Sequence, residues 1–282
     1  LLVSINMPPS AGTSSIYTNV GRQISRGWTA TFSFVVMKTK ELSWSLNINA
    51  SRNRSKYKDI GNKLDYLNER GSSTTLNRYY EGASPDDMWA VRSLGIDPAT
   101  GREVFLKKDG TQTFKYSAMD EVVVGSSVPD VQGVVGTTFY YKGFSASLNF
   151  RYRLGGQTKA DALYRKVENI DEDQLKFNQD KRALYDRWQE PGNYAQFKGI
   201  GIVKNTSPMS DRFIQNENSL IGESFNIGYE FSKQKWMKTV GMSSLAFRAN
   251  MNDIFRVSTV KAERGIDYPF ARTISLSISA SF

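Results

Sequence analysis

The sequence predicts an all-β fold of long antiparallel strands, patterned as in a transmembrane β-barrel, and three observations predict it. The last residues, 272–282, alternate without a break: Ile274, Leu276, Ile278, Ala280 and Phe282 share one face of a strand, while Thr273, Ser275, Ser277, Ser279 and Ser281 share the other. The same period of two returns in several earlier segments, some longer than the roughly five or six residues of a globular strand. No apolar run approaches the roughly 18 residues of a membrane helix, the nearest being 32–37, so any span must be a closed sheet of strands about 9 to 11 residues long. A soluble two-sheet sandwich also alternates, with solvent in place of a lumen on its polar face, and on periodicity alone it stays open.

In chain order, Trp28, Ala30, Phe32, Phe34 and Val36 alternate with Thr29, Thr31, Ser33 and Val35. A turn at 38–41 leads into Leu42, Trp44, Leu46, Ile48 and Ala50 against Ser43, Ser45, Asn47, Asn49 and Ser51, an antiparallel hairpin with one apolar and one polar face. Residues 134–141 and 144–154 form a second hairpin about Lys142-Gly143, with Phe144, Ala146, Leu148, Phe150, Tyr152 and Leu154 opposed to Ser145, Ser147, Asn149, Arg151 and Arg153. A third group carries Phe225, Ile227, Tyr229 and Phe231, then Leu245, Phe247, Ala249 and Met251, before the terminal strand. Connections 51–74 and 95–133 are long and polar, and 155–220 is very long, which suits outer loops of a barrel better than a compact soluble domain. Within it, 171–188 has helical composition, with Leu175, Ala183, Leu184 and Trp188 as packing positions and Pro191-Gly192 as the stop, and predicts a short helix. Trp28, Tyr57, Tyr140, Tyr141, Tyr152, Tyr229 and Phe282 lie near strand ends, where a barrel carries its aromatic girdles.

Composition narrows the function classes. With 37 Lys+Arg against 28 Asp+Glu, the net charge is +9, but the cations are scattered over strand ends and loops, as at Arg52, Arg54, Lys56 and Lys58, in the manner of solvated rims. No RNP-type strand, helix-turn-helix or zinc spacing accompanies them, which argues against nucleic acid as a partner. Without Cys or His the chain lacks thiol nucleophiles, imidazole bases, disulfides and nearly every zinc or haem site, so neither a catalytic triad nor a cofactor is expected and the chain does not read as an enzyme. Asp171-Glu-Asp173 has Lys176 where a calcium loop needs Gly, and reads as a solvated charge run; Gly199-Ile-Gly201 lacks the third glycine of a dinucleotide loop. No charged n-region and apolar h-region stand at Leu1, so a signal peptide is expected to be already removed or to lie outside the chain.

Several short motifs in succession resemble the SusC/RagA family of TonB-dependent outer-membrane transporters of the Bacteroidetes. They begin with Leu1-Leu-Val-Ser-Ile-Asn-Met-Pro-Pro-Ser-Ala-Gly12, Thr18-Asn-Val-Gly21 and Arg26-Gly27, followed by Ala90-Val-Arg-Ser-Leu-Gly-Ile-Asp-Pro-Ala-Thr-Gly101. Val128-Pro-Asp130, Phe139-Tyr-Tyr-Lys-Gly-Phe144, Gly155-Gly156, Arg187-Trp188 with Pro191-Gly192, and Ser210-Asp-Arg212 come next. Asn226-Ile-Gly-Tyr229, Asn250-Met-Asn-Asp-Ile-Phe255 and Tyr268-Pro269 before Arg272-Thr273 complete the series in the family's order. Each alone is weak, and their ordered succession carries the resemblance. The segment 216–225 departs from the family pattern, so no contact made there is transferred.

The resemblance implies a barrel of 22 strands, of which this chain supplies about nine or ten C-terminal ones and no plug domain, with 155–220 as a long extracellular loop. It implies an importer of a bulky nutrient, an oligosaccharide or a peptide, embedded in outer-membrane lipid. The implied partners are a SusD-like surface lipoprotein, TonB acting through the N-terminal part, the remaining barrel and plug, and a second SusCD pair in a dimer. The rival expectation is a self-sufficient small barrel acting as pore, adhesin or anchor.

Candidate contact residues follow from exposure and face. Tyr185, Trp188 and Tyr194 are candidates to stack on substrate or pack on a partner, with packing inside their own loop as the plainer role. Arg151, Arg153 and Arg248 fall on the lumen face, to tune solute passage or, the favoured reading, to pair with plug carboxylates. Ile274, Leu276, Ile278 and Phe282 are the barrel insertion and closure signal that the resemblance implies.

Overall fold

A computed structural model describes residues 2–71, 75–170, 172–199, 206–232, 234–261 and 272–282, in two compact units. One comprises Gly27–Arg52, Pro129–Gly155 and Glu217–Phe282; the other comprises Leu1–Arg26, Asn53–Val128 and Gly156–Asn216. The largest sheet has seven strands: β1 (Arg22–Lys38), β2 (Leu42–Lys58), β3 (Val131–Tyr141), β4 (Phe144–Leu154), β5 (Ser219–Ser232), β6 (Ser244–Ser258) and β7 (Ile274–Ser281). They lie in chain order, each beside its sequence neighbours and antiparallel from β2 onward. Short turns join β1 to β2 and β3 to β4, and a connection carrying the short helix Lys235–Thr239 joins β5 to β6, all at one end of the sheet; the long connections leave from the other.

Register confirms the alternation rung by rung. Leu42, Tyr141, Phe144, Tyr229, Phe247 and Ile278 stand side by side across β2 to β7; Trp44, Phe139, Ala146, Ile227, Ala249 and Leu276 form the next rung, and Leu46, Thr137, Leu148, Phe225, Met251 and Ile274 the third. On the opposite face, Ser45, Thr138, Ser147, Asn226, Asn250 and Ser275 are aligned in the same way. Cross-strand hydrogen bonds tie that polar face, with Asn226 Nδ2 donating to Ser147 Oγ (3.2 Å), Asn149 Nδ2 to Ser224 Oγ (3.0 Å) and Asn49 Nδ2 to Thr31 Oγ1 (3.0 Å). The one hydroxyl in the third apolar rung, Thr137, accepts from Trp44 Nε1 at 2.9 Å and donates to the Ser45 carbonyl, so the apolar face carries no idle polar group there.

Two local devices set the geometry. Lys142 (φ 45°) and Gly143 (φ 87°) both adopt positive φ, as the two-residue turn that matches strand twist demands. At Gly143 a Cβ would also fall 2.5 Å from the Glu230 carbonyl. In β5 the register shifts between Gly222 and Ser224, and the inserted Glu223 forms an ion pair with Arg151.

Antiparallel strands are found as expected, but seven of them rather than nine or ten share the large sheet. Among the described residues β1 and β7 each have one neighbour, so the sheet is open and does not close into the rival small barrel, and the remaining short strands pair in small sheets of their own. Leu2–Asn6 pairs with Ser15–Asn19, Asp87–Ala90 with Val122–Ser126, and Gln157–Lys159 with Ile214–Asn216, while Arg92–Ile96, Glu103–Leu106 and Gln112–Thr113 make a three-stranded sheet. The sandwich alternative fails on exposure, because Leu276 is 80 % and Ile278 68 % exposed, with no second layer over them among the described residues.

The second unit is built from the long connections and has a core of its own: Leu76, Met88, Ala90, Val167, Ala183, Phe197, Met209 and Phe213. The helix expected over 171–188 shrinks to a 3-10 turn, Glu172–Gln174, and one α-turn, Arg182–Tyr185; Asp171 lies outside the described residues. Ala183 is buried as expected, whereas Leu175 and Leu184 face outward, because so short a helix presents a single packing position. Tyr57 is also corrected: it is buried beside Tyr79 at a ring distance of 5.6 Å rather than placed in a girdle.

Candidate functional site

The densest chemistry lies in the unit of connections, around Arg212. Ser210 bridges Val91, the Asp211 amide donates to the Val91 carbonyl at 3.2 Å, and Asp211 Oδ1 accepts the Ser93 amide at 2.7 Å. The 3-10 turn Asp211–Phe213 then buries Phe213 and sets Arg212 between Glu103 and Glu168. Arg212 meets Glu103 through Nε (3.3 Å) and Nη2 (3.1 Å), Glu168 through Nη2 (2.7 Å) and Nη1 (3.2 Å), and the Gln196 carbonyl through Nη1 (2.6 Å). All five guanidinium donors are thereby used, in the forked geometry that only Arg supplies. Ser210 Oγ and Ser207 Oγ complete the shell, each donating at 2.6 Å, to Glu103 and Glu168 respectively.

Burial sets the electrostatics. The Glu168 side chain is 0 % exposed, Glu103 7 % and Arg212 13 %. Burial pushes the Glu168 carboxyl up, but the hydrogen bonds and charge of Arg212, helped by Ser207 and Lys198, outweigh it and hold the group below the usual carboxylate range. Burial likewise opposes the charge on Arg212, and its two carboxylates reverse that and raise its pKa. Lys198 is pulled down by burial, and Asp211 is pushed up by burial despite the Ser93 amide. A second enclosed pair, Arg78 with Glu121 (2.7 and 2.6 Å), fixes the neighbouring connection. Every charge here is answered by a protein group, so these sites hold loops together and present no nucleophile or acid-base pair to a substrate.

The motifs that seemed weak singly converge on this clamp. Trp188 Nε1 donates to the Pro98 carbonyl at 2.8 Å, and the Gly192 amide donates to the same carbonyl at 2.9 Å. Gly101, at φ 69°, lets the indole lie so close that a Cβ would be 2.5 Å from the ring. Arg187 is buried and donates to the carbonyls of Ala183 (2.8 Å) and Lys198 (2.9 Å). Thus 97–101, 187–192 and 210–212 meet in space, although the sequence marked them only as a resemblance. Glu103 and Glu168 were missed, since nothing local distinguishes a carboxylate whose partner is 109 or 44 residues away.

The expected contact residues separate. Trp188 is half-buried within its loop, whereas Tyr185 (76 %) and Tyr194 (89 %) stand exposed. Arg151 and Arg153 share the polar face of the sheet with Arg248 but already have carboxylates of this chain: Glu223 for Arg151, and Glu217 for Arg153 at 3.3 Å. Arg248 differs, with no carboxylate within ion-pair distance among the described residues, and it lines a shallow basin of about 250 Å³ with Thr138, Ser147, Asn226, Asn250 and Ser277. Ile274, Leu276, Ile278 and Phe282 are all exposed on the final strand and its end. Gly201 and Tyr268-Pro269 lie outside the described residues.

Comparison with known proteins finds no matching family model. The chain is 23 % identical over 302 residues to the TonB-dependent receptor SusC of Bacteroides thetaiotaomicron, covering 100 % of this chain and 29 % of that protein. It is 26 % identical over 173 residues to the TonB-dependent receptor P26 of Formosa agariphila, covering 56 % of this chain and 17 % of that one. In fold it is similar to the RagAB peptide importer in the closed-closed state, with a TM-score of 0.74 and 19 % identity over 100 % of this chain and 32 % of the other. The RagAB peptide transporter structure matches with a TM-score of 0.72 at 19 % identity, over 93 % of this chain and 28 % of that chain. The chain therefore spans under a third of the length of the relatives it matches.

Proposed function

We propose that the chain belongs to the SusC/RagA family of TonB-dependent receptors, a family of transporters rather than enzymes whose place is the outer membrane, and that its seven-stranded sheet is an arc of a 22-stranded import barrel. The cargo is a bulky nutrient, peptide or oligosaccharide, delivered from a SusD-like surface lipoprotein over the outer loops. TonB acts through a plug carried by the rest of the receptor. The observation that carries the reading is the apolar face, continuous over six registered strands and uncovered. Burying each Leu, Ile or Phe is worth about 1.5–3 kcal/mol, so rows of this size left in water would outweigh a typical domain's stability. Hydrocarbon resolves that conflict, and the Ser and Asn ladder behind it suits an aqueous passage.

The absence of Cys makes the test direct, because a single introduced thiol in this segment is unambiguous. In the assembled receptor, Ile278→Cys should resist a water-soluble maleimide and react with a lipid-confined one, and Ser277→Cys should do the reverse. Equal labelling of both by the water-soluble reagent would refute the membrane wall. Loss of nutrient uptake on deleting the barrel, restored by the complete receptor, tests the import assignment separately.

A further inference from the structure

On β1 and β2 the outward face does not end with the apolar row. Even-numbered positions carry it: Trp28 to Val36 on β1 and Leu42 to Ala50 on β2. The parity holds to the far end of the hairpin, because Ser25 and Ser55, both odd, meet on the other face at 2.7 Å, as Thr31 and Asn49 do. Past Ala50 the same outward face of β2 reads Arg52, Arg54, Lys56 and Lys58, and past Trp28 that of β1 reads Arg26, Ile24 and Arg22. Six cations thus follow the hydrocarbon-type row on two paired strands, at the end from which the long connections leave. Tyr152, Leu220 and Val257, level with Ala50 at the end of the row, are uncharged, so on β4, β5 and β6 the outward face is still apolar where the cations of β2 are about to begin.

The acids near this band are few. Arg22 pairs with Asp59 (2.5 Å) and Arg52 with Asp130 (3.6 Å), and Arg54 is held by Ser126 Oγ and the Val128 carbonyl. Glu81 accepts the amides of Asp59, Ile60 and Gly61, and it also feels the charge of Lys58. Arg26, Lys56 and Lys58 are exposed, with no carboxylate within ion-pair distance among the described residues.

We propose that this basic band is a binding site for the phosphate-bearing head groups of anionic lipid, seated where the apolar row ends. The proposal rests on the membrane reading above. Cations bordering hydrocarbon recruit anionic head groups by charge, while their stems cover apolar surface. Each cation near a membrane surface is worth about a fivefold gain in lipid association, so removing three should lower it more than tenfold.

The test uses the assembled receptor in nanodiscs of zwitterionic lipid doped with a phosphorylated anionic lipid, with retained lipid quantified by mass spectrometry. The triple variant Arg26→Gln, Lys56→Gln, Lys58→Gln should lose its excess anionic lipid by more than tenfold and keep its zwitterionic lipid. Lys56→Arg with Lys58→Arg, and Lys40→Gln in the opposite turn, should retain the excess. Unchanged anionic enrichment in the triple variant overturns the site. Inorganic phosphate that saturates the lipid-free receptor at low millimolar concentration, and is lost in the triple variant, overturns the lipid assignment in favour of a soluble anion. Failure of the receptor to enter nanodiscs strikes the membrane reading instead, and is scored before lipid is counted.

Discussion

Replacing Arg212 with Met should open the clamp between the long connections. The methionine fills the stem's volume but removes five donors at once, leaving Glu103 and Glu168, 7 % and 0 % exposed, with Ser210 on Glu103 and with Ser207 and the Lys198 amide on Glu168. Breaking a buried ion pair by deleting one member costs about 3–5 kcal/mol, because the surviving charge stays desolvated. The stranded carboxylates escape by taking up protons, so the loss should be larger at pH 8 than at pH 5. Glu168 is held below its usual value in the native protein, so its contribution is present above the unfolded carboxylate pKa and fades as pH falls through the depressed one. Hydrogen exchange of the Ala160, Tyr164 and Asn169 amides, which bond within this unit, reads the opening directly in the assembled receptor. Exchange should accelerate about a hundredfold or more in Arg212→Met, and most of the loss should return when Glu103→Gln and Glu168→Gln are added. A change below about 1 kcal/mol, or no recovery in the triple variant, would refute the clamp.

Other outcomes follow from single contacts. Leu276→Arg places a cation on the face assigned to hydrocarbon and should destabilise the refolded barrel by about 2–4 kcal/mol, whereas Ser277→Arg should cost far less; equal urea midpoints in vesicles would contradict the assigned faces. Gly101→Ala combines a positive φ with a clash against Trp188, so the Trp188–Pro98 hydrogen bond should break at a cost of about 1–3 kcal/mol, read as faster exchange of the Gly192 amide. Asp211 is raised above its ordinary 3.8 chiefly by burial, so the stability it contributes is complete below that value and is lost as pH rises through the higher native one. Asp211→Asn should abolish that loss, leaving the stability difference between wild type and variant dependent on pH only in this acid window.

What the sequence disclosed, and what it withheld, follows from how far apart the interacting residues lie. Strand faces were readable because the period of two is written into consecutive residues, and the Lys142-Gly143 turn because positive φ selects its residues locally. The number of strands in the sheet was not, since nine or ten came with the resemblance while only seven segments alternate at length; the connection 95–133, read as long and polar, hides short strands that only their pairing reveals. The helix at 171–188 failed because composition counts Leu175 and Leu184 as packing residues, while the chain there turns after four helical residues. Arg212 was in view only as part of Ser210-Asp-Arg212; its role depends on two glutamates that no local pattern singles out.

The two outermost strands, β1 and β7, have a further consequence for making this protein. Each ends the sheet with an edge of amide and carbonyl groups that pairs with no further strand among the described residues, beside an oily surface. A polypeptide of this kind freed into buffer has the makings of a template that recruits its own copies, growing ribbons instead of staying dispersed. If the sheet is an arc of a barrel, as proposed, synthesis in a cell calls for an escort that shields both rims until neighbouring staves arrive, and laboratory refolding calls for detergent before denaturant is removed.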